Sequence, residues 1–208
     1  MIIFLTALDA AAAARVTPLL GAHRVVRNLA ELRQAEGTGL FSFSTSIIVP
    51  PDILRRFDGA AYNLHAASPE YPGRDPHHWA VYDGATRYGA TLHQMTPRVD
   101  DGPIIDVEWF DVAPGTTPAR LLAEANEAAL RLLGRVAPQL QRPGTLVIDP
   151  ALRWTGAKRT RADFLAMCRL PSDISAAEFA RRVRAFDSPN HDNLSVTLHG
   201  RTFRLERP

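Results

Sequence analysis

The sequence predicts an α/β protein: a mostly parallel, Rossmann-like sheet flanked by helices. Two observations carry this reading. Short apolar or β-branched runs alternate with helical periodicity through the first fifty residues, the pattern of strands joined by helical crossovers. Later, residues 117–136 place Leu121, Leu122, Ala125, Ala129, Leu132, Leu133 and Val136 on one stripe, a helix built to cover a sheet.

In order, residues 2–7 read as a first buried strand, 9–20 as an Ala/Leu-rich helix ending at Gly21, and Val25-Val26 as a strand. Residues 28–35 read as a helix and 40–49 as a β-prone run closed by Pro50 and Pro51. Pro51 opens a short helix, residues 60–64 form a strand, and a polar Pro/Gly-rich loop spans 68–76. Strands resume at 89–95 and 104–112 around the turn 97–102. Past the 117–136 helix, a polar connector runs over 153–163. A capping box at Ser175-Ala176-Ala177-Glu178 then starts a helix through Phe186, and residues 194–205 form a hairpin turning at His199-Gly200. This divides the chain into a main domain, 1–150, and a small C-terminal helix-plus-hairpin appendage, 151–208.

The 208 residues suffice for a real core, and 46% apolar with 22% charged residues excludes wholesale disorder. The 24 basic and 22 acidic side chains leave a formal charge of +2, so no broad basic field for nucleic acid is expected. The runs Lys158-Arg159-Thr160-Arg161 and Arg181-Arg182-Val183-Arg184 read as solvated faces. Cys168 is the sole cysteine, which excludes an intrachain disulfide. The start lacks a basic leader region and Asp9 breaks its apolar run, so no membrane span is expected and the location reads as cytoplasmic.

Asn63 and His65 stand two apart on a strand and so leave the same face of the sheet. Polar groups at the end of a buried strand are costly unless used, and ligands of open α/β sheets bind beyond the carboxyl ends of strands. Asp100 lies in a turn between two later strands, from which a carboxylate can favour an imidazolium. Amide, imidazole and carboxylate together can stabilise an oxyanion and move a proton. The structural alternative stays open: Asn-x-His is a common hydrogen-bonding pair, and Asp-Asp-Gly a common turn. His77, His78 and His93 do not read as a metal site, because adjacent His77 and His78 diverge on extended backbone.

Five stretches in order are similar to the folate-dependent formyltransferases, which include methionyl-tRNA and sugar N-formyltransferases. They are Ile48-Val49-Pro50-Pro51-Asp52-Ile53-Leu54; Tyr62-Asn63-Leu64-His65 with Pro69; Gly73-Arg74-Asp75-Pro76-His77-His78-Trp79-Ala80; Gly89-Ala90-Thr91-Leu92-His93-Gln94-Met95; and Val99-Asp100-Asp101-Gly102-Pro103-Ile104-Ile105. The resemblance implies the formyltransferase fold with a shortened N-terminal half, and a catalytic set of Asn63, His65 and Asp100. It implies 10-formyltetrahydrofolate as donor, lying against Ile47, Ile48, Val49, Met95 and Val99, with no metal and no covalent enzyme intermediate. Ala66 stands where the family usually has proline, and the following loop is one residue shorter than its common form. Residues 180–189 resemble the helix that longer members carry next, while their tRNA-gripping domain has no counterpart here. The implied acceptor is therefore a small amine, such as the amino group of a nucleotide-linked sugar. The alternative is a formyltransferase-like module that binds a ligand without catalysis or with altered chemistry. The hairpin, Trp154 and Phe164 would offer apolar surface for a homodimer.

Overall fold

The computed structural model describes residues 1–142, 144–187 and 194–205. Six strands, β1 (Ile2–Leu5), β2 (His23–Val26), β3 (Gly39–Phe43), β4 (Ala61–His65), β5 (Arg87–Gln94) and β6 (Ile104–Asp111), form one sheet in the order β2-β1-β3-β4-β5-β6. The first four run parallel; β5 and β6 complete the sheet antiparallel. The expected α/β architecture is thus present, with an antiparallel edge that strand–helix alternation did not indicate.

Local chemistry sets the ends of the elements. The expected 9–20 helix is two short ones, α1 (Ala10–Ala13) and α2 (Thr17–Leu20). Asp9 caps the first by accepting from the Ala12 amide, and Pro18 lies in the first turn of the second. Asn28 caps α3 (Leu29–Gln34) in the same way. The 40–49 run is a strand only as far as Phe43. Ser44, at φ 53°, turns the chain out of the sheet, and 45–49 lead to α4 (Pro51–Leu54).

Two elements were not visible in the sequence. Residues expected on extended backbone form α5 (Pro76–Asp83), so His77 and His78 are helical neighbours. Four consecutive residues of α5, His78 to Val81, are buried, which erases the one-sided stripe that reveals a helix. The end of the connector likewise opens α7 (Arg161–Cys168), which starts with a capping box between Thr160 and Asp163.

The long helix α6 (Pro118–Leu140) outlasts its expected end. Pro138 removes one amide, yet Gln141 still bonds the Ala137 carbonyl and Leu140 is buried. The stripe of α6 packs on Phe4, Phe41, Tyr62, Leu64 and Leu92. Ile3, Leu5 and Leu40 belong to a second cluster with Leu32, Ile53 and Phe57. The C-terminal elements are α8 (Ala176–Phe186), β7 (Arg169–Leu170), β8 (Ser195–Leu198) and β9 (Arg201–Arg204). The three strands make a small separate sheet in which β8 and β9 are the expected hairpin. Ser188 and Pro189, part of the segment similar to the family's following helix, lie outside the described residues.

A third cluster joins Phe164, Cys168, Ala185, Phe186 and Leu194 to Trp79, Tyr88, Leu121 and Ala125. The His78 imidazole Nδ1 lies 2.6 Å from the Ala185 carbonyl, tying α5 to α8. Phe164 is fully buried in this cluster and supplies no surface for a partner, contrary to the sequence reading. No helix among the described residues is long and apolar enough to cross a membrane.

Because this cluster spans both sides of residue 150, Phe186→Ala is expected to lower the unfolding free energy by about 3–5 kcal/mol in a single denaturant transition. A separate early transition confined to the C-terminal segment would contradict the shared core.

Candidate active site

A cavity of about 400 Å³ opens beyond the carboxyl ends of β3 and β4. Strand periodicity places Asn63 and His65 on one face of β4, and the register sets Asn63 beside Ser42 of β3 and His93 of β5. An irregularity in the β5–β6 pairing falls between Leu92 and His93, where such a break re-aims a side chain.

Asp100 occupies the left-handed region at φ 45°, in the turn between β5 and β6, and is almost wholly buried. Its Oδ2 accepts the Gly73 amide at 2.8 Å and lies 3.7 Å from His65 Nδ1. Its Oδ1 lies 3.4 Å from His93 Nε2. Burial alone would raise the pKa of this carboxyl. The charge of His65, the hydrogen bond and charge of His93, and the Gly73 amide together outweigh burial and hold it well below the usual carboxylate range. Asp100 is therefore a buried anion with three partners.

The two imidazoles are fixed differently. His65 donates its Nε2 proton to the Tyr71 carbonyl at 3.0 Å, which leaves Nδ1, the edge towards Asp100, as the exchangeable position. His93 donates from Nδ1 to the Gln94 carbonyl at 2.9 Å, and its Nε2 stands 3.1 Å from the Asn63 amide nitrogen. With Nε2 bare, His93 accepts from Asn63; with Nε2 protonated, it pairs with Asp100. The state of His93 thus couples to the Asn63 amide. In sequence His93 is one residue of the Gly89–Met95 motif, and only the register that sets it opposite Asn63 marks it as a site residue.

Trp154, from the connector, closes the other side. Its ring meets His93 edge-on at 5.0 Å and His65 at 5.9 Å, while Nε1 donates to the Gly102 carbonyl at 2.8 Å. The connector is stitched to the loop after β4: Thr155 donates to the Pro69 carbonyl, Arg159 to that of Pro72, and Arg74 to that of Arg159. Two glycines permit this approach. A Cβ on Gly73 would stand 2.3 Å from the Arg159 carbonyl oxygen, and one on Gly156 would stand 1.6 Å from that of Glu70. The Lys158–Arg161 run, expected to be a solvated face, therefore lines the cavity. Ile47, Ile48, Val49, Met95 and Val99 line the same cavity, with Ile48 65% and Val99 41% exposed. Burial pushes the Cys168 thiol up to about 11, which leaves it no role as a nucleophile.

A buried carboxylate, two imidazoles and an amide at a strand-end cavity are the equipment of an enzyme that transfers a group through a carbonyl carbon. Residues 25–137 match the sequence model of the formyl transferase family, and the chain belongs to that family. It is an enzyme that transfers formyl groups. Its fold is similar to that of an uncharacterised Mycobacterium tuberculosis protein held to be a sugar N-formyltransferase (TM-score 0.79, 20% identity, covering 100% of this chain and 99% of that one). It is also similar to a 4-N formyltransferase from Francisella tularensis (0.74, 17%, 100% and 98%). A third similar structure is an N-formyltransferase from Helicobacter canadensis in complex with folinic acid and dTDP-3-aminofucose (0.71, 15%, 96% and 84%).

The depressed Asp100 carboxyl fixes the sign of a pH effect. Its contribution to stability is present above the carboxyl's unfolded pKa, about 3.9, and is lost as pH falls towards the lower folded value. The melting temperatures of the parent protein and Asp100→Asn are expected to differ at pH 6 and to converge as pH drops below about 4. A gap that stays constant from neutral pH to pH 3 would refute the ionised, multiply paired carboxylate.

Proposed function

We propose that this enzyme moves the formyl group of 10-formyltetrahydrofolate to the primary amine of a small acceptor, specifically an amino group on a nucleotide-linked sugar. The observation that carries this is the convergence of Asn63, His65 and Asp100 on one cavity whose rim is apolar. Folate and dTDP-aminosugar occur together on the Helicobacter canadensis neighbour, which supports the choice of donor and acceptor class.

The residues present fit a reduced folate. Ile48 and Val99 leave apolar surface open at the rim beside Ile47, Val49 and Met95, where a flat heteroaromatic ring would cover it. Among the described residues, the backbone groups of Ile48 and Val49 bond to no other backbone group, so they are available to the polar edge of such a ring. These five residues would hold the donor, which supplies an activated formyl carbon.

The chain's own groups do the rest. The Asn63 amide and a protonated His65 stabilise negative charge developing on the formyl oxygen. His65 exchanges its proton at Nδ1, and the anion of Asp100 stabilises the imidazolium. As the attacking amine gains positive charge, Asp100 and the paired imidazoles would carry its proton towards the donor nitrogen, which takes up a proton as its bond to the formyl carbon breaks and tetrahydrofolate leaves. Trp154 and the connector limit water at the imidazoles, which strengthens each electrostatic contact.

With 10-formyltetrahydrofolate and a panel of dTDP- and UDP-linked amino sugars, the protein is expected to release tetrahydrofolate only when an acceptor is present. His65→Ala and Asp100→Asn should each reduce that rate by about 100-fold or more. Undiminished turnover in both variants would overturn the site assignment. Release of formate without acceptor would overturn transfer to an amine.

A further inference from the structure

The basic run of the connector faces the cavity, and two of its three charges, those of Lys158 and Arg159, have no carboxylate partner among the described residues. Arg74, Lys158 and Arg159 all line the cavity. None of the three makes an ion pair with a carboxylate among the described residues. Arg159 is held over the Trp79 ring, 4.5 Å from its centroid, and lowers the Asp163 pKa through space without contacting it. By contrast, two neighbouring arginines are paired, Arg161 with Asp75 at 3.5 Å and Arg98 with Asp101 at 2.8 Å. Unpaired like charges around a concavity repel one another and raise its positive potential, an arrangement that favours an anionic ligand.

We infer that Arg74, Lys158 and Arg159 form a diphosphate-binding subsite for the acceptor. This rests on the proposed formyl transfer at the same cavity. A phosphate chain suits two planar guanidinium forks and one compact ammonium, whose combined charge exceeds the two negative charges of a sugar-linked diphosphate. The apolar rim comes from segments following β3 and β5, whereas the three cations come from the loop after β4 and from the connector. The wall that would hold the acceptor is thus built from different chain segments than the wall that would hold the donor.

The subsite is linked to the catalytic carboxylate through the backbone. Arg159 exchanges hydrogen bonds with the chain on either side of Gly73, at Pro72 and Arg74, and the Gly73 amide holds Asp100. An anion gripping Arg74 and Arg159 therefore also fixes the donor that positions Asp100.

Titration calorimetry on the whole protein tests this with dTDP, UDP, inorganic diphosphate and 5-formyltetrahydrofolate as probes. At low salt the parent protein is expected to bind at least one nucleoside diphosphate, more weakly as salt rises. Arg74→Ala and Lys158→Ala, both at exposed positions, should each weaken that binding about tenfold or more and leave folate affinity unchanged. Equal melting temperatures would establish that the variants are folded.

The inference is overturned if no diphosphate probe binds the parent protein, or if the variants bind it equally well. It is also overturned if they lose 5-formyltetrahydrofolate instead, since the basic wall would then serve the donor's glutamate carboxylates. Formyl transfer to an unphosphorylated amine, with no diphosphate binding, would refute the subsite and leave the proposed reaction standing.

Discussion

The site depends on one buried carboxylate. Removing Asp100 from water would cost several kcal/mol for an isolated ion. That cost is offset only because the Gly73 amide and two imidazoles surround it. Each partner comes from a different place: Gly73 from the loop after β4, His65 from the end of β4, and His93 from β5. Satisfying the charge therefore fixes the relative positions of three segments. The left-handed backbone at Asp100, mildly unfavourable for a residue with a side chain, is what turns the carboxylate inward.

The fold serves this arrangement in layers. The parallel strands β3 and β4 end at the cavity, with α6 covering one face of the sheet. The antiparallel return of β5 places His93 directly opposite Asn63, which a parallel crossover in the same place would not have done. The connector beyond residue 150 then completes the cavity from outside the sheet, with Trp154 against both imidazoles and Arg159 bonded around Gly73. Those contacts make the C-terminal segment part of the site as well as part of the core.

The sequence made some of this plain. Asn63 and His65 were legible from the two-residue period of a strand, and α6 from its stripe. Asp100 was legible as a turn residue, but its catalytic assignment came from the family resemblance. His93 is legible only as a motif residue and a poor metal ligand, because a histidine inside an apolar strand shows no partner until the opposing strand and its register are known. α5 was hidden because its buried surface wraps around it, and because its N-cap residue, Asp75, adopts a left-handed conformation without a capping side-chain bond. The Lys158–Arg161 run was read as solvated since charge runs usually are; only the backbone pairing with residues 72–74, which local pattern does not encode, brings it to the cavity.

Membership of the formyl transferase family agrees with this architecture. The central physical claim is that Asp100 locks the loop after β4 and, through it, the connector. Amide hydrogen exchange measures this most directly. In Asp100→Ala, the Gly73, Arg74 and Arg159 amides should exchange faster than in the parent protein while the amides of β1 keep their protection. Unchanged exchange at Gly73, Arg74 and Arg159 would contradict the account.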